Sequence, residues 1–387
     1  MKKKIICIID FGQSHLKFIL ITQNYRVTRA LICKNSFKIS YDNSSFYDFL
    51  KIKQKIKLNI NKISKYYNII ALACVGHGSA CFFLDKNNNL KSGFHFLSNF
   101  KNKKELNKFL PKFSETFTPN YEKFHNLGKN FFVIKKKNKN IKFMTLTSFI
   151  GWLFSKKNIA DPSYMSCHTY LWNFRKKSFS SLVKKISDLK TMPKIQKSGN
   201  FIGKVNNSFF KINKNCKIYN GMHDTSAAFY FNKLFFNSKN SIFLSTGTTF
   251  VFGQFLNKLK KIKEKSNFYL LSPINCKGVI LSRRFYGGLI YEKLKNKKKI
   301  KSINQLLAIY TIKELSFYLQ NTTNKNINLI IDGPFSKNND FLFSLKKLKK
   351  NINIYCAKNE NSPSLGMAYL CAKKKIKLSK SDYYNKI

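Results

Sequence analysis

Acidic side chains are scarce in this chain. The 387 residues include 17 Asp and Glu against 72 Lys and Arg, which gives a formal net charge of +55. Such an excess is typical of nucleic-acid-binding proteins, because clustered cations release counterions from a phosphate backbone. The lysines are instead spread along nearly the whole chain among Asn, Ile, Phe and Tyr, whose codons are AT-rich. An AT-rich genome therefore accounts for the lysines without a ligand. A basic nucleic-acid-binding protein stays an alternative that requires a patterned patch with aromatic platforms, and we expect no specific nucleic-acid partner.

The nine cysteines form no pattern typical of a metal site or a disulfide framework. Their number is odd, no C-x-x-C pair occurs, and most of them lie in or beside apolar segments. We therefore expect reduced thiols in the core of the protein and neither a zinc site nor a set of disulfides.

Long hydrophobic runs are absent as well. No apolar run is long enough to span a bilayer. The lysine-rich start resembles a signal peptide, but Asp10 ends its apolar run early and no small-residue cleavage site follows. We expect a cytoplasmic protein without a membrane partner. A hydrophobic content of 43% and a length of 387 residues allow two domains with their own cores.

The sequence G-x-x-x-x-G-K-S/T does not occur, which excludes a P-loop enzyme by its own signature. What the chain has at its start is a strand, a turn with Asp10 and Gly12, and a second strand that carries Lys17. Gly12 would let the backbone approach a phosphate, Lys17 would add a positive charge, and Asp10 would face the phosphates through a magnesium ion. An ordinary hairpin is the alternative interpretation of this turn.

A second turn of small residues lies late in the chain. Residues 243–250 read Phe-Leu-Ser-Thr-Gly-Thr-Thr-Phe, an apolar strand that breaks into a turn able to surround phosphates with amides and hydroxyls. Shortly before it, Asp224 precedes the small residues Thr-Ser-Ala-Ala. Asp224 is a candidate general base that accepts the proton of a substrate hydroxyl during phosphoryl transfer. The alternative is an N-cap at the start of a helix.

Strands and helices alternate along the chain, which favours a mixed α/β fold. Strands are predicted at 4–10, 17–22, 68–75, 81–85, 268–272, 278–282, 328–332 and 352–356, with a further strand series that begins at 242, and helices at 103–110, 145–155, 303–320, 338–349 and 363–373. The alternation of strand and helix patterns becomes irregular around 232–241, so we predict domains at residues 1–238 and 239–387. The strand, glycine turn and strand at 5–21 recur at 242–253 as a weak internal repeat.

The order of these elements resembles the FGGY carbohydrate kinases of the actin-like ATPase superfamily over nearly the whole chain. The matching segments are Asp10–Lys17, Gly76-His77-Gly78, Gly221–Asp224, Ser245–Thr249, Gly333–Ser336 and Leu365–Ala368. Two further segments, 166–172 and 284–288, resemble a branch grouped loosely with rhamnulose and fuculose kinases.

The resemblance implies two ribonuclease-H-like domains that flank a cleft for nucleotide and sugar. It also implies ATP and Mg²⁺ as cofactors, Asp224 as the general base, and Asp10 with Asp224 at the metal. The residues that it places at the nucleotide are Gly12, Ser14, Lys17, Gly247, Thr248, Gly288, Gly333, Gly366 and Met367. Those that it places at the sugar are His77, Gly78, His168, His223 and Asp224.

The expected activity is therefore ATP-dependent phosphorylation of a sugar hydroxyl, with a ketose of the rhamnulose, fuculose or xylulose type as substrate. A catalytically degenerate protein that keeps the cleft and binds sugar or nucleotide is the alternative within the same fold. The two aspartates, Asp10 and Asp224, count against that alternative. The oligomeric state is open, with a homodimer among the options.

Overall fold

The computed structural model describes residues 2–41, 44–94, 103–119, 127–259, 262–263, 268–274, 277–296, 300–320, 326–348, 352–372 and 376–387. Eight cysteines lie in these ranges with free thiols, seven of them buried, as expected from the sequence. Cys276 lies outside the described residues, as do the last residues of the helices predicted at 338–349 and 363–373.

The strands up to the middle of the chain are β1 (Lys3–Phe11), β2 (His15–Ile21), β3 (Val27–Lys34), β4 (Lys38–Tyr41), β5 (Ser44–Tyr47), β6 (Tyr67–Gly76), β7 (Cys81–Leu84), β8 (Leu90–Phe94), β9 (Lys142–Thr145), β10 (Ile159–Ala160), β11 (Trp172–Asn173), β12 (Ser178–Phe179), β13 (Lys194–Ile195), β14 (Phe201–Lys204), β15 (Lys217–Tyr219) and β16 (Met222–His223). The later strands are β17 (Ser241–Ser245), β18 (Phe250–Leu256), β19 (Phe268–Leu271), β20 (Val279–Phe285), β21 (Ile327–Asp332), β22 (Ile352–Ala357) and β23 (Tyr384–Lys386).

The helices are α1 (Phe49–Tyr66), α2 (Lys103–Asn107), α3 (Phe113–Thr116), α4 (Leu127–Lys137), α5 (Leu146–Ser155), α6 (Pro162–Met165), α7 (Ser181–Ile186), α8 (Asp224–Lys233), α9 (Gly287–Leu294), α10 (Ile300–Gln320), α11 (Asn339–Leu348), α12 (Ser362–Cys371) and α13 (Lys380–Tyr383). Short 3-10 helices cover Leu189–Thr191, Ser238–Asn240 and Pro334–Lys337. Among the described residues, no helix has both the length and the apolar character needed to cross a membrane.

The first large sheet has the order β14-β15-β6-β1-β2-β3, and β16 also pairs with β6. β1 is antiparallel to β2 and parallel to β6. Alternate residues of β1 belong to two different apolar clusters: Ile5, Cys7 and Ile9 to one, Ile6 and Ile8 to the other. Because both faces of this central strand are covered, its sequence is a nearly continuous hydrophobic run.

The second large sheet repeats this arrangement with the order β19-β20-β18-β17-β21-β22-β23. β17 is antiparallel to β18 and parallel to β21, as β1 is to β2 and β6. In both sheets two strands in successive antiparallel pairing lie on one side of the central strand and two parallel strands lie on the other; the second sheet has an additional edge strand, β19, beside β20. The weak internal repeat in the sequence therefore corresponds to the shared part of two ribonuclease-H-like sheets.

A smaller five-stranded sheet, β4-β5-β8-β7-β9, extends the first half. α1 begins at its N-cap Asp48, whose Oδ1 accepts a hydrogen bond from the Lys51 amide at 3.0 Å. The helix buries Ile52, Ile56 and Ile60 in the cluster that covers one face of β1. These isoleucines recur every fourth residue, the spacing of one helical face.

α12 belongs to the second half of the chain but packs on the first sheet. Met367 and Ala368 of α12 share an apolar cluster with Ile6 and Ile8 of β1. α12 also lies against α8, where a Cβ added at Gly366 would stand 2.4 Å from the Ala227 carbonyl oxygen. The absence of a side chain at residue 366 therefore permits the close contact between the two helices.

The strands predicted from the sequence are confirmed within a few residues, and so are four of the five predicted helices. The helix predicted at 103–110 is shorter and ends at Asn107. Neither α1 nor β3 was predicted from the sequence. The domain boundary at 238/239 stays a prediction; in the chain it falls between the last strand of the first large sheet and the first strand of the second.

Candidate active site

A cavity of about 830 Å³ lies where the carboxyl ends of the parallel strands of both sheets face each other. This is the place where open α/β sheets bind ligands. The cavity wall includes, from the first half, Asp10, Gly12, Ser14, Lys17, His77, Gly78, Cys167, His168, His223 and Asp224. From the second half it includes Thr246, Gly247, Thr248, Tyr269, Arg284, Gly288, Asp332, Gly333 and Glu360.

The first turn presents a buried carboxylate beside a cation. Asp10 lies in the last part of β1, and its Oδ2 is 3.6 Å from Lys17 Nζ on β2. Burial raises the pKa of Asp10 to about 6, while Lys17 lowers it and the nearby Asp224 raises it. The turn is held by Asn35, whose Nδ2 donates to the Gly12 carbonyl at 2.8 Å. A carboxylate and an ammonium group therefore lie side by side at the turn end of the β1–β2 hairpin.

Asp224 begins α8 directly after β16, which pairs with the end of β6. The N-cap of α8 is His223, so the alternative that Asp224 is the N-cap is wrong. Asp224 Oδ1 accepts hydrogen bonds from the amide of Thr225 at 2.5 Å and from its hydroxyl at 3.2 Å. Burial raises the pKa of Asp224 to about 6, against these hydrogen bonds and Lys17, which lower it.

His223 is a neutral neighbour of this carboxylate. Its Nε2 lies 3.4 Å from Asp224 Oδ1, but burial lowers the pKa of the imidazole to about 3. At neutral pH the contact is therefore not an ion pair. The ring also contacts Cys167 Sγ at 3.2 Å through Nε2 and Ser226 Oγ at 3.2 Å through Nδ1. These contacts hold the imidazole on the cavity wall.

The deep end of the first half is formed by His77 and Gly78 after β6 and by Cys167 and His168 after α6. His77 Nε2 lies 2.7 Å from the Tyr47 hydroxyl. The ring of His168 lies 3.8 Å from that of Tyr269, measured between centroids, so the second sheet closes this end.

The second turn is built from amides and hydroxyls. The Thr246 hydroxyl donates to the Asp332 carbonyl at 2.6 Å, and the Phe335 amide donates to the same hydroxyl at 3.1 Å. Gly333 has a φ of +88°, and a Cβ there would stand 2.0 Å from the Thr246 carbonyl oxygen. A Cβ at Gly247 would meet no atom within 4 Å. Gly247 therefore offers open backbone to a ligand, while Gly333 lets two loops of the second sheet touch.

All but two of the residues predicted for the site lie on the wall of this cavity. The exceptions are Gly366 and Met367, which the resemblance places at the nucleotide. Gly366 packs against Ala227, and Met367 is fully buried in the cluster beneath the first sheet. The structure thus gives both residues a packing role and no place on the wall.

Other wall residues were not predicted from the sequence. Asp332 ends β21, and burial raises its pKa to about 6. Arg284 lies near the end of β20 and is 7% exposed, with its guanidinium 5.9 Å from the centre of the Tyr269 ring. One signal was available for Asp332, because it follows an apolar strand just before Gly333. The place of Arg284 on the wall can be recognised only from the order of the strands, in which β20 lies two positions from β17.

A magnesium ion fits Asp10 and Asp224 as a pair. Within the part of the chain that the structure describes, no cluster of three or more His, Cys, Asp or Glu forms a metal cage. Mg²⁺ at phosphate-transfer sites is usually held by one or two carboxylates together with phosphate oxygens and water. The buried carboxylate of Asp10 and the half-buried carboxylate of Asp224 lie on one cavity wall, close enough for Asp224 to raise the pKa of Asp10, and match that donor set.

Known structures of sugar kinases have the same fold. A carbohydrate kinase from Novosphingobium aromaticivorans matches with a TM-score of 0.83 at 15% identity, covering 98% of this chain and 96% of its own. A ligand-bound xylulose kinase from Lactobacillus acidophilus gives 0.81 at 13% identity, with 95% and 89% covered. Plasmodium falciparum glycerol kinase with ADP gives 0.77 at 13% identity, also with 95% and 89% covered.

No protein-family model and no curated protein sequence matches this chain. At 13 to 15% identity the structural likeness establishes the fold alone, which is the two-domain α/β fold of these kinases. None of these three structures is of a rhamnulose or fuculose kinase, so the narrower branch stays a prediction.

Proposed function

We propose that the protein transfers the γ-phosphoryl group of ATP to a hydroxyl group of a sugar. The observation that carries this proposal is that two phosphate-type turns and the carboxylate of Asp224 all face one cavity between two sheets of matching topology. Similarity to the folds of three sugar and polyol kinases supports the same reaction class.

Asp224 is the general base. Its pKa of about 6 leaves it ionised at neutral pH and still close enough to the working pH to accept a proton from the attacking hydroxyl. Its hydrogen bonds to Thr225 fix the carboxylate at the first turn of α8. Most of the rate in phosphoryl transfer comes from positioning and charge stabilisation, so a fixed carboxylate suits the task.

Asp10 and Lys17 handle the phosphates from the first sheet. Lys17 provides a positive charge to phosphate oxygens, and Asp10 together with Asp224 would hold Mg²⁺. When bound, the ion neutralises the charge that develops on the transferring group. Gly12 and Ser14 contribute backbone and hydroxyl donors in the same turn.

The second half holds the nucleotide. Gly247 and Thr248 both lie on the cavity wall, and the backbone of Gly247 is open to a ligand, so amides of this turn can approach phosphate oxygens. Gly288 and Gly333 lie on the same wall, and Gly288 permits α9 to begin against the turn, since a Cβ there would stand 2.1 Å from the Gly247 carbonyl oxygen. We place the adenosine of ATP along this wall.

The sugar binds at the deep end, against His77, Gly78, His168 and His223. Arg284 reaches this end from the second sheet and is a further donor to sugar oxygens. We retain a ketose of the rhamnulose, fuculose or xylulose type as the expected substrate. We further propose domains at 1–238 and 239–387, a cytoplasmic location, and a homodimer as the assembly to test.

The test is ADP release from MgATP across a panel of ketoses, aldoses, alditols and glycerol, with Asp224→Asn run in parallel. Sugar-dependent turnover that disappears in the variant supports the proposal and identifies the substrate. A folded wild-type protein that binds ATP and turns over none of the sugars contradicts it and favours the degenerate sugar-binding alternative.

A further inference from the structure

One short segment, residues 161–166, contacts two parts of the cavity wall and also the second half of the chain. The Tyr164 hydroxyl donates to the His77 carbonyl at 2.8 Å, so the segment supports the end of β6. The Ser163 hydroxyl accepts a hydrogen bond from the His223 amide at 3.2 Å, so it also supports the start of α8. Ser166 Oγ accepts from the Ser272 amide at 2.9 Å, which links it to the second half.

The segment is anchored by a buried carboxylate. Asp161 is the N-cap of α6, and its Oδ2 accepts hydrogen bonds from the Ser163 amide at 2.8 Å, the Tyr164 amide at 3.3 Å and the Ser198 hydroxyl at 3.0 Å. The same oxygen accepts the hydroxyl hydrogen of Ser163. Asp161 and Ser163 are both fully buried, so water does not compete for these bonds.

This arrangement fixes the direction of the Ser163 hydroxyl. Because its hydrogen points to Asp161, a lone pair of its oxygen is left for the His223 amide. His223 is the residue before Asp224 and the N-cap of α8. The position of its amide therefore determines where the backbone of Asp224 lies, and with it where the Asp224 carboxylate is placed.

We propose that Ser163, oriented by Asp161, is a positioning residue that holds Asp224 in line for proton transfer. The proposal rests on the proposed function, in which Asp224 is the base. Ser163 acts through the backbone of His223 and does not line the cavity, so its effect should fall on the rate of the chemical step more than on substrate binding.

Ser163→Ala and Ser198→Ala form a matched pair. Each variant removes one hydroxyl that donates to Asp161, and each residue is nearly or fully buried, but only Ser163 contacts the His223 amide. With a sugar identified, we expect Ser163→Ala to lower kcat by roughly 10- to 100-fold with KM for the sugar within about twofold, since small displacements of a reacting group have effects of that size. We expect kcat of Ser198→Ala to stay within about threefold of the wild type. Equal kcat values for the two variants, or a loss in Ser163→Ala that is confined to KM, would overturn the proposal.

Hydrogen exchange provides a readout that needs no turnover. Deuterium uptake at the His223 amide should be faster in Ser163→Ala than in the wild type and unchanged in Ser198→Ala, because only the first variant removes the acceptor of that amide. If the wild type phosphorylates no sugar, the proposed function fails while this measurement still decides whether Ser163 holds the start of α8. Equal uptake in both variants overturns the inference by itself.

Discussion

The turn between β1 and β2 and the turn between β17 and β18 occupy equivalent places in the two sheets. Each joins the central strand to an antiparallel neighbour, and each central strand is parallel to the next one in the sheet. The first turn is flanked by Asp10 and Lys17, with Asp10 Oδ2 3.6 Å from Lys17 Nζ. The second, residues 245–249, contains only Ser, Thr and Gly.

Under the proposed function, this difference lets one topology supply two functions. The first half places charged groups where a proton and a phosphoryl group would move, and Asp224 joins them from α8. The turn at 245–249 in the second half provides uncharged, directional hydrogen-bond donors, including the open backbone of Gly247. We therefore expect changes in the first half to affect the rate of the reaction and changes in the second to affect nucleotide affinity.

The largest expected effect separates two aspartates. Asp224 and Asp332 both line the cavity, and burial raises the pKa of each to about 6, but one belongs to each half. We expect Asp224→Asn to lower kcat by about 10³-fold, the range of a lost general base, and Asp332→Asn by less than about tenfold. Steady-state kinetics at saturating ATP measures both. Similar losses in the two variants would mean that the charges of the two halves are equivalent.

The second prediction is a pH dependence set by the first half. Asp10 and Asp224 have pKa values raised from 3.8 to about 6, and the proposed roles need both carboxylates ionised. Each carboxylate contributes about a tenfold fall for each pH unit below 6, so the rate should fall toward about 100-fold per unit and be flat above about pH 7. A profile of kcat from pH 5 to 8 measures this. The residual rate of Asp224→Asn should lose part of the dependence, and an unchanged profile in that variant would assign the titration to other groups.

The third prediction concerns the second turn. Gly247→Ala adds a methyl group that meets no protein atom within 4 Å, so the folded protein should tolerate it. If phosphate approaches this backbone, the Kd for ATP should rise by about tenfold, or about 1.4 kcal/mol, with an unchanged Tm. Calorimetric titration and thermal unfolding give the two values. In Gly333→Ala, by contrast, the Kd for ATP should rise and the Tm should fall, because residue 333 has a positive φ and no room for a Cβ.

The smallest expected effect on ATP binding comes from a change at the contact between α8 and α12, which joins the two halves. Gly366→Ala places a Cβ 2.4 Å from the Ala227 carbonyl oxygen, so α8 and α12 must shift. We expect the free energy of unfolding to fall by about 1–3 kcal/mol, the usual cost of overpacking, with ATP affinity within about threefold of the wild type. A large loss of ATP affinity at unchanged stability would instead support the nucleotide role that the resemblance assigns to Gly366.

Local patterns predicted much of the fold and the site. The hairpins at both turns could be read from the sequence because an apolar strand, a glycine turn and a second strand are contiguous. The packing of Gly366 against α8 could not be predicted, because a glycine in an apolar helix fits both a ligand contact and close helix packing, and only the position of α8 distinguishes them. Arg284 and Ser163 were missed since their roles depend on neighbours far away in the chain.

The most direct test of the account is to look for the product itself. Wild-type protein, MgATP and each sugar of the panel would be incubated, and phosphorylated sugar would be detected by ³¹P NMR and mass spectrometry beside ADP. The account predicts one phosphorylated sugar per ADP formed, with both products formed about 10³-fold more slowly in Asp224→Asn. ADP formed without any sugar phosphate, or equal sugar phosphate from the variant, would contradict it.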